Sequence, residues 1–225
     1  MNIAVLGTGI VGRTIATRLA ELGHTVTVGT RDPQATLART APDAMGTPPF
    51  AAWSAENPRV AVAGFANAAA GAELIVNATN GGASLDVLAA AGAGNLDGKV
   101  ILDIANPLDF SQGMPPTLFV KDTDSLGEQI QRAYPGSRVV KSLNTLNADL
   151  MARPALLADP GTVFVSGNDA EAKDTVTGLL TEFGHEDVID LGDITTARGT
   201  EMLLPVWLRL WGALGTPAFN FKIVR

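Results

Sequence analysis

The chain has 225 residues, a length that suits one domain or one domain with a small appendage. Its net charge of −7 argues against nucleic acids and anionic membrane surfaces as partners, and the lack of cysteine excludes disulfides and thiolate chemistry. Charged residues make up only 17% of the chain, against about 25% in a typical protein, so we expect a second subunit to cover some apolar surface and predict a homodimer.

Short apolar runs alternate with helical stretches along the chain, a pattern typical of a parallel sheet covered by helices on both faces. In the first part of the chain the predicted strands are 3–6, 25–28, 60–63, 74–77, 100–104 and 139–142, and the predicted helices are 10–22, 33–41, 82–91 and 123–133. In the second part we predict a strand at 163–165, a helix at 169–183, a strand at 188–191 and a long helix from about 195.

The pattern predicts an α/β fold, a Rossmann-type, doubly wound and mainly parallel sheet with a small C-terminal extension. Residues 1–154 form the predicted Rossmann domain, and residues 155–225 form a predicted small α/β unit.

Neither end of the chain suggests a membrane or export role. The first residues run directly into a strand, so no signal peptide is predicted. The apolar run 202–215 is broken by Pro205 and Arg209 and is too short to span a bilayer, so we predict a cytoplasmic protein.

Two predicted loops, 42–59 and 106–125, are longer than packing requires. Loops of this length in a compact domain are usually functional lids or disordered segments. The second loop follows the fifth strand at the carboxyl edge of the sheet, where ligands bind in such folds, so we predict a lid there.

The strongest motif follows the first strand and opens the first helix. Its residues are those of the full G-x-G-x-x-G pattern: Gly7, Thr8, Gly9, Ile10, Val11 and Gly12. The first glycine permits a tight turn, the second lets a pyrophosphate approach the backbone, and the third lets helix and strand pack closely. The helix N-terminus adds unpaired N–H donors for the anion, so the motif predicts a dinucleotide site rather than an ordinary turn.

The residues after the second strand indicate which dinucleotide binds. An NAD site places a carboxylate there for the ribose hydroxyls, whereas this chain has Thr30 and Arg31. A guanidinium and a hydroxyl suit a 2′-phosphate, so we predict NADP(H) and interpret residues 1–154 as an NADP-binding domain. The alternative is that Arg31 is a solvated surface residue and Asp32 holds the ribose, although Asp32 precedes Pro33 and fits a turn into the next helix.

The motif "GTGIVGRTIATRLAELGHTVTVGTRDP" resembles that of the coenzyme F420-dependent NADP oxidoreductases, and the resemblance extends over nearly the whole chain. "RVVKSLNTLNADLM" and "TVFVSGNDAEAKDTVTGLL" resemble later parts of that family, and "KSLNTLNA" and "LGDITTAR" also resemble the oxidoreductase domain of the STEAP metalloreductases. The resemblance implies that Thr8, Thr30 and Arg31 hold the 2′-phosphate. A lysine of some members has no counterpart in "DPQATLA", which implies a weaker clamp.

The resemblance also implies that the nicotinamide half of the cofactor passes the ends of the fourth and fifth strands. The residues carried over are Asn77, Ala78, Thr79, Asn80, Ala105 and Asn106. Small side chains leave room for a ligand there and amides offer hydrogen bonds, although strand-end capping explains Asn77 and Asn106 equally well.

A dehydrogenase that acts on a carbonyl needs a group that gives or takes a proton. His24 and His185 each follow a helix-ending glycine and are interpreted as structural, and Tyr134 has no evident partner. Lys141 and Asn144 are weak catalytic candidates, because a lysine and a nearby asparagine serve hydroxyacid dehydrogenases of the 6-phosphogluconate type. The alternative for Lys141 is a lysine that ends a strand near the cofactor.

The C-terminal unit, residues 155–225, is predicted to contribute to a cleft for a second substrate and to the dimer interface. Trp207 and Trp211 share a helix face and favour a subunit interface over a flavin-stacking platform. Arg198, which matches an arginine of both related families, either binds an anionic tail of the second substrate or is structural, and Asn144 is a further candidate. No metal site is predicted.

The leading hypothesis is an enzyme that transfers a hydride between NADP(H) and a deazaflavin, coenzyme F420, or otherwise a flavin. Such a transfer needs two stacked rings about 3–3.5 Å apart and correctly oriented, with little else from the protein. A non-catalytic NADPH-binding redox sensor would lack a catalytic acid too. The third hypothesis is an imine or carbonyl reductase that uses Lys141.

Overall fold

The computed structural model describes residues 1–42 and 46–225. Its strands are β1 (Asn2–Leu6), β2 (Thr25–Thr30), β3 (Val60–Gly64), β4 (Leu74–Asn77), β5 (Val100–Asp103), β6 (Leu108–Asp109), β7 (Thr117–Leu118), β8 (Arg138–Ser142), β9 (Thr162–Gly167) and β10 (Asp187–Gly192). Its helices are α1 (Ile10–Glu21), α2 (Pro33–Leu37), α3 (Phe50–Glu56), α4 (Phe65–Ala70), α5 (Ser84–Ala91), α6 (Ala93–Leu96), α7 (Leu126–Ala133), α8 (Ala148–Ala152), α9 (Ala170–Phe183), α10 (Ala197–Met202) and α11 (Leu204–Leu214).

One eight-stranded sheet organises the molecule, with the strand order β10-β9-β8-β5-β4-β1-β2-β3. All neighbours are parallel except β8 and β9, which run antiparallel. The Rossmann-type, mainly parallel α/β prediction is therefore confirmed. The order reverses between β1 and β4, and ligands bind at such a point in open α/β sheets.

Both faces of the sheet are buried, which explains why its strands read as nearly continuous apolar runs. Ile3 and Val5 of β1 face a core that includes the buried side of α1 and that of α9. Ala4 and Leu6 face the opposite core, to which α4, α5 and α7 contribute.

The predicted boundary near residue 154 does not divide the sheet. β9 and β10 continue it beyond β8, and the core that contains Ile3 also contains Val163 and Val165 of β9. The division of the chain into residues 1–154 and 155–225 stays a prediction.

The structure corrects several predicted elements. The helix predicted at 33–41 ends at Leu37, the predicted loop 42–59 contains α3, and the loop predicted at 106–125 contains the antiparallel pair β6–β7. Residues 43–45 of the first loop lie outside the described residues. The long helix expected from about 195 is divided into α10 and α11, because Pro205 lacks the N–H that a continuous helix needs there.

Candidate functional site

The glycine-rich turn lies at the point where the strand order reverses. Gly7 follows β1 with φ at +129°, and a Cβ on it would lie 2.4 Å from the carbonyl oxygen of Ala78. A Cβ on Gly12 would lie 2.3 Å from the carbonyl oxygen of Gly7, whereas a Cβ on Gly9 would have no atom within 4 Å. Two glycines thus allow close packing, and the third leaves the backbone open to a ligand.

The start of α1 supplies the electrostatics that an anion needs. Gly9 is its N-cap and makes no side-chain cap, and the first turn has no acidic residue. The first N–H groups of a helix lack intrahelical partners and attract anions. The Arg13 guanidinium, which is buried, donates to the carbonyl oxygen of Thr8 over 2.8 Å and holds the turn in place.

Beside the turn, a cavity of about 430 Å³ lies at the end of β2. Thr8, Thr30 and Arg31 all line it, as their predicted role requires. Arg31 is exposed and its guanidinium makes no hydrogen bond or ion pair with another described residue. Asp32 caps α2 by accepting from the N–H of Ala35 over 3.0 Å, so its carboxylate is already engaged.

Arg39 is a further cation in this cavity that the sequence analysis missed. Its guanidinium donates to the hydroxyl of Thr8 over 3.2 Å. The residue follows α2 and lies three and four residues after Thr36 and Ala35, which line the same cavity. It offers a second guanidinium where the resemblance implied a weaker clamp.

A larger cavity of about 620 Å³ opens at the carboxyl ends of β4 and β5. Ala78, Thr79, Asn80, Ala105 and Asn106 line it, together with Ile10 and Val11 of the glycine motif. Its other lining residues are mostly apolar: Gly81, Ile104, Leu108, Phe110, Met114, Pro116, Asn144, Leu146, Asn147, Ala148, Met151, Leu204, Trp207, Leu208 and Trp211. The predicted lid segment 106–125 supplies one wall, although closure of that segment stays a prediction.

Asn77 lies beneath this cavity rather than in its described wall. Its side chain is fully buried and donates to Asp103 Oδ1 over 2.8 Å and to Ser84 Oγ over 3.0 Å. The hydroxyl of Thr79 donates to Asn77 Oδ1 over 2.7 Å. Asn77 therefore supports the loop after β4, which agrees with the capping alternative.

The side-chain amides of Asn106 and Asn144 are hydrogen-bonded to each other in the wall of the cavity. The Asn144 side chain donates to Asn106 Oδ1 over 3.0 Å and to the carbonyl oxygen of Thr200 over 3.1 Å. The Asn106 side chain donates in turn to the carbonyl oxygen of Asn144 over 2.9 Å. The sequence analysis singled out both residues, and the structure joins them directly.

Lys141 is buried below the cavity and is not among its described lining residues. Its ammonium lies 2.8 Å from Asp103 Oδ2 and 2.8 Å from Glu201 Oε1, and it also donates to the carbonyl oxygen of Ala105. Burial alone would lower the pKa of Lys141, but the two carboxylates outweigh it and raise the pKa. These contacts do not support a role as proton donor to a substrate.

Arg198 forms a paired contact with Glu128, with its Nε 2.8 Å from Glu128 Oε2. The hydrogen bond from Arg198 lowers the pKa of Glu128. Arg198 is not among the described residues that line the apolar cavity, so this contact favours the structural alternative.

Both tryptophans of α11 line the apolar cavity, a position that favours the stacking alternative for them. Trp207 is buried and stacks on Phe219 with ring centroids 5.3 Å apart. Trp211 lies 5.6 Å from Trp207 and is 38% exposed.

Two further features are absent from the part of the chain that the structure describes. No group of three side chains there could hold a metal ion. No helix in residues 1–42 or 46–225 is both long and apolar enough to cross a membrane.

Comparisons with known proteins find F420-dependent NADP reductases and a metalloreductase among the relatives of this chain. A family model described as NADP oxidoreductase, coenzyme F420-dependent, matches residues 2–107. The F420-dependent NADP reductase of Methanothermobacter marburgensis is 29% identical over 220 residues, which cover 93% of this chain and 92% of that protein. The metalloreductase STEAP3 of Rattus norvegicus is 29% identical over 215 residues, which cover 92% of this chain and 38% of that protein. The chain therefore spans well under half the length of STEAP3.

A solved structure is much more similar. It is that of a protein from Arthrobacter sp. FB24, provisionally described as an F420-dependent NADP-reductase. The two chains are 65% identical, each is covered completely, and the TM-score is 0.95.

Proposed function

Because the chain belongs to the coenzyme F420-dependent NADP oxidoreductase family, we propose that it transfers a hydride between NADP(H) and the 5-deazaflavin coenzyme F420. Membership of this family makes it an enzyme of the NADP-dependent oxidoreductase class. The deazaflavin as second substrate and the roles of individual residues are proposals.

The composition of the apolar cavity is the observation that carries the proposal. None of its described lining residues is an Asp, Glu, His, Lys, Arg, Tyr or Cys. Hydride transfer between two rings needs orientation and exclusion of water, whereas reduction of a carbonyl also needs a proton donor. The cavity thus suits a reaction between two redox cofactors better than the reduction of a carbonyl.

The residues that would hold NADP(H) lie on both sides of the glycine turn. Gly9 and the start of α1 would face the pyrophosphate. Thr8, Thr30, Arg31 and Arg39 would hold the 2′-phosphate, because they line one cavity and both guanidiniums are free of ion pairs in the described chain.

On the other side of the turn the protein would position two rings. The small side chains of Ala78 and Ala105 leave room for the nicotinamide. When bound, NADPH supplies the hydride from C4 of its nicotinamide, and C5 of the deazaflavin accepts it while a proton is taken from water. The joined amides of Asn106 and Asn144 would fix the orientation, and the indoles of α11 would exclude water.

The test is rapid mixing of the NADPH-loaded protein with F420, FMN, FAD and, separately, a cyclic imine, with the nicotinamide absorbance followed in time. We expect rapid NADPH oxidation with F420 and much slower oxidation with NADH in place of NADPH. Turnover with FMN or FAD but not with F420 would mean that the second substrate is a flavin rather than a deazaflavin. Turnover of the imine, without turnover of F420 or the flavins, would favour the reductase hypothesis. Tight NADPH binding without any oxidation would favour the sensor.

A further inference from the structure

Most of the sixteen lysine and arginine side chains have a partner within the protein. Among the described residues, those without a side-chain hydrogen bond or ion pair are Arg31, Arg59, Lys121 and Arg209. Arg31 lies in the cavity assigned to the 2′-phosphate. Lys121 and Arg209 come from distant parts of the chain, yet they line one and the same groove.

This groove has a volume of about 360 Å³ and lies between the segment after β6 and helices α10 and α11. One wall is formed by the segment 115–118 and Lys121, and the other by Met202, Pro205, Leu208 and Arg209. No aspartate or glutamate is among its described lining residues. In a chain with a net charge of −7, the groove is therefore a local region of positive charge.

The groove joins the apolar cavity. Pro116 and Leu208 line both, one from each wall. On α11, Pro205, Leu208 and Arg209 are spaced three and four residues apart and so share a face, while Trp207 and Trp211 turn toward the apolar cavity. Helix α11 thus borders the apolar cavity on one side and the positively charged groove on the other, and the groove is continuous with the cavity at Pro116 and Leu208.

We propose that this groove binds an anionic extension of the second substrate, made of phosphate or carboxylate groups, through Lys121 and Arg209. The inference rests on the proposed function, because it assumes that the ring of that substrate occupies the apolar cavity. Arg209 offers a planar fork of donors to such a group, and Lys121 offers a point charge from the opposite wall. The sequence analysis assigned the anionic tail to Arg198, which the structure instead pairs with Glu128.

Coenzyme F420 supplies a suitable probe, because its deazaflavin ring continues through a ribityl chain into phosphate and carboxylate groups. The matched probe is the deazaflavin riboside, which has the same ring and ribityl chain without the anionic groups. Binding of each compound to the NADP⁺-loaded protein is measured by the fluorescence of the deazaflavin. Because NADP⁺ and both deazaflavins are in their oxidised forms, no hydride transfer takes place and the measurement reports binding alone.

We expect F420 to bind at least about tenfold more tightly than the riboside, since two charged contacts on an accessible surface are lost with the tail. The double variant Lys121→Ala/Arg209→Ala should lose about tenfold in F420 affinity and less than about twofold in riboside affinity. The advantage of F420 should shrink as salt is raised, because salt screens exposed charges. Arg59→Ala is the matched control: it removes another exposed, unpaired cation and should change neither affinity.

The outcomes separate this inference from the proposed function. Equal affinities for the two compounds, or an equal loss of both in the double variant, would overturn the groove assignment even if NADPH reduces the riboside. If the wild type prefers F420, the double variant loses that preference and neither protein transfers a hydride, this combination would support the groove assignment and reject the proposed enzyme activity. If neither compound binds, both proposals fall.

Discussion

The ammonium of Lys141 and the carboxylate of Glu201 lie 2.8 Å apart with both side chains buried. The other neighbours of Lys141 are Asp103 and the carbonyl oxygen of Ala105, and Glu201 also accepts from the N–H groups of Leu126 and Gly127. This network joins the end of β5, the start of α7 and helix α10 beneath the apolar cavity. It therefore holds both the loop that carries Ala105 and the helix that leads into α11.

Lys141→Met should destabilise the fold strongly, because it leaves two carboxylates buried without their counter-charge. Removal of one partner from a buried ion pair costs about 3–5 kcal/mol. The measurement is the free energy of unfolding from denaturant titration. Lys222→Met is the control, since Lys222 pairs with Asp159 at an exposed site, and its unfolding midpoint should stay close to that of the wild type. Equal effects of the two substitutions would contradict the assignment of the buried network.

The central strands β1, β4 and β5 could be predicted because each is a short apolar run that is largely buried, and Ile3, Val5 and their neighbours need no tertiary information to be recognised. α4 could not, because its sequence FANAAA has little contrast between apolar and polar faces. α3 follows Pro48 and Pro49, residues that favour a loop interpretation of the whole segment.

That Thr8, Thr30 and Arg31 line one cavity could be expected from local positions, because Thr30 ends β2, Arg31 follows it and Thr8 lies in the glycine turn after β1. Their role toward a 2′-phosphate stays a prediction. Arg39 lies three and four residues after Thr36 and Ala35, which line the same cavity, but this helical spacing does not reveal that this face of α2 borders the cavity. The partners of Lys141 come from β5 and α10 and were equally hidden. The register between β5 and β8 places Asp103 beside Lys141, and the packing of α10 on β9 supplies Glu201. Sequence periodicity indicates neither of these.

Arg31→Ala should weaken NADPH binding about tenfold and leave NADH binding unchanged, because the lost hydrogen bonds to a charged group involve only the 2′-phosphate. Arg39→Ala should act in the same direction and by a smaller factor, since its guanidinium is partly engaged by Thr8. Calorimetric titration of each variant with both dinucleotides measures the effect. Arg59→Ala controls for a general loss of positive charge. A parallel loss of NADH affinity would show that these arginines do not recognise the phosphate.

Stability should fall as the solution is acidified below the usual pKa of histidine. Burial lowers the pKa of His185, although the contact with the carbonyl oxygen of Met151 acts in the opposite direction. Near pH 6.5 the His185 side chain therefore takes up a proton in the unfolded chain but not in the folded protein. The contribution of His185 to the free energy of unfolding is complete above that pH and is lost as the pH falls toward the lowered pKa of the folded protein.

The check compares unfolding free energies of the wild type and His185→Gln between about pH 5 and pH 7. The variant should be less stable at neutral pH, and the difference between the two proteins should shrink on acidification. A constant difference over this range would mean that His185 titrates normally in the folded protein.

Gly9→Ala and Gly12→Ala should separate binding from folding. Gly9 has φ −74°, which alanine adopts without strain, and its added Cβ would meet no protein atom within 4 Å. The substitution should leave the unfolding free energy nearly unchanged and reduce NADPH affinity at least about tenfold, because the methyl group occupies the space that the pyrophosphate needs.

In Gly12→Ala the Cβ would lie 2.3 Å from the backbone oxygen of Gly7, so the free energy of unfolding should fall by about 1–3 kcal/mol. Denaturant titration and NADPH calorimetry on both variants give the two readouts. If Gly9→Ala binds NADPH like the wild type, the dinucleotide does not cross the turn at Gly9, and the assignment of the pyrophosphate to the start of α1 fails.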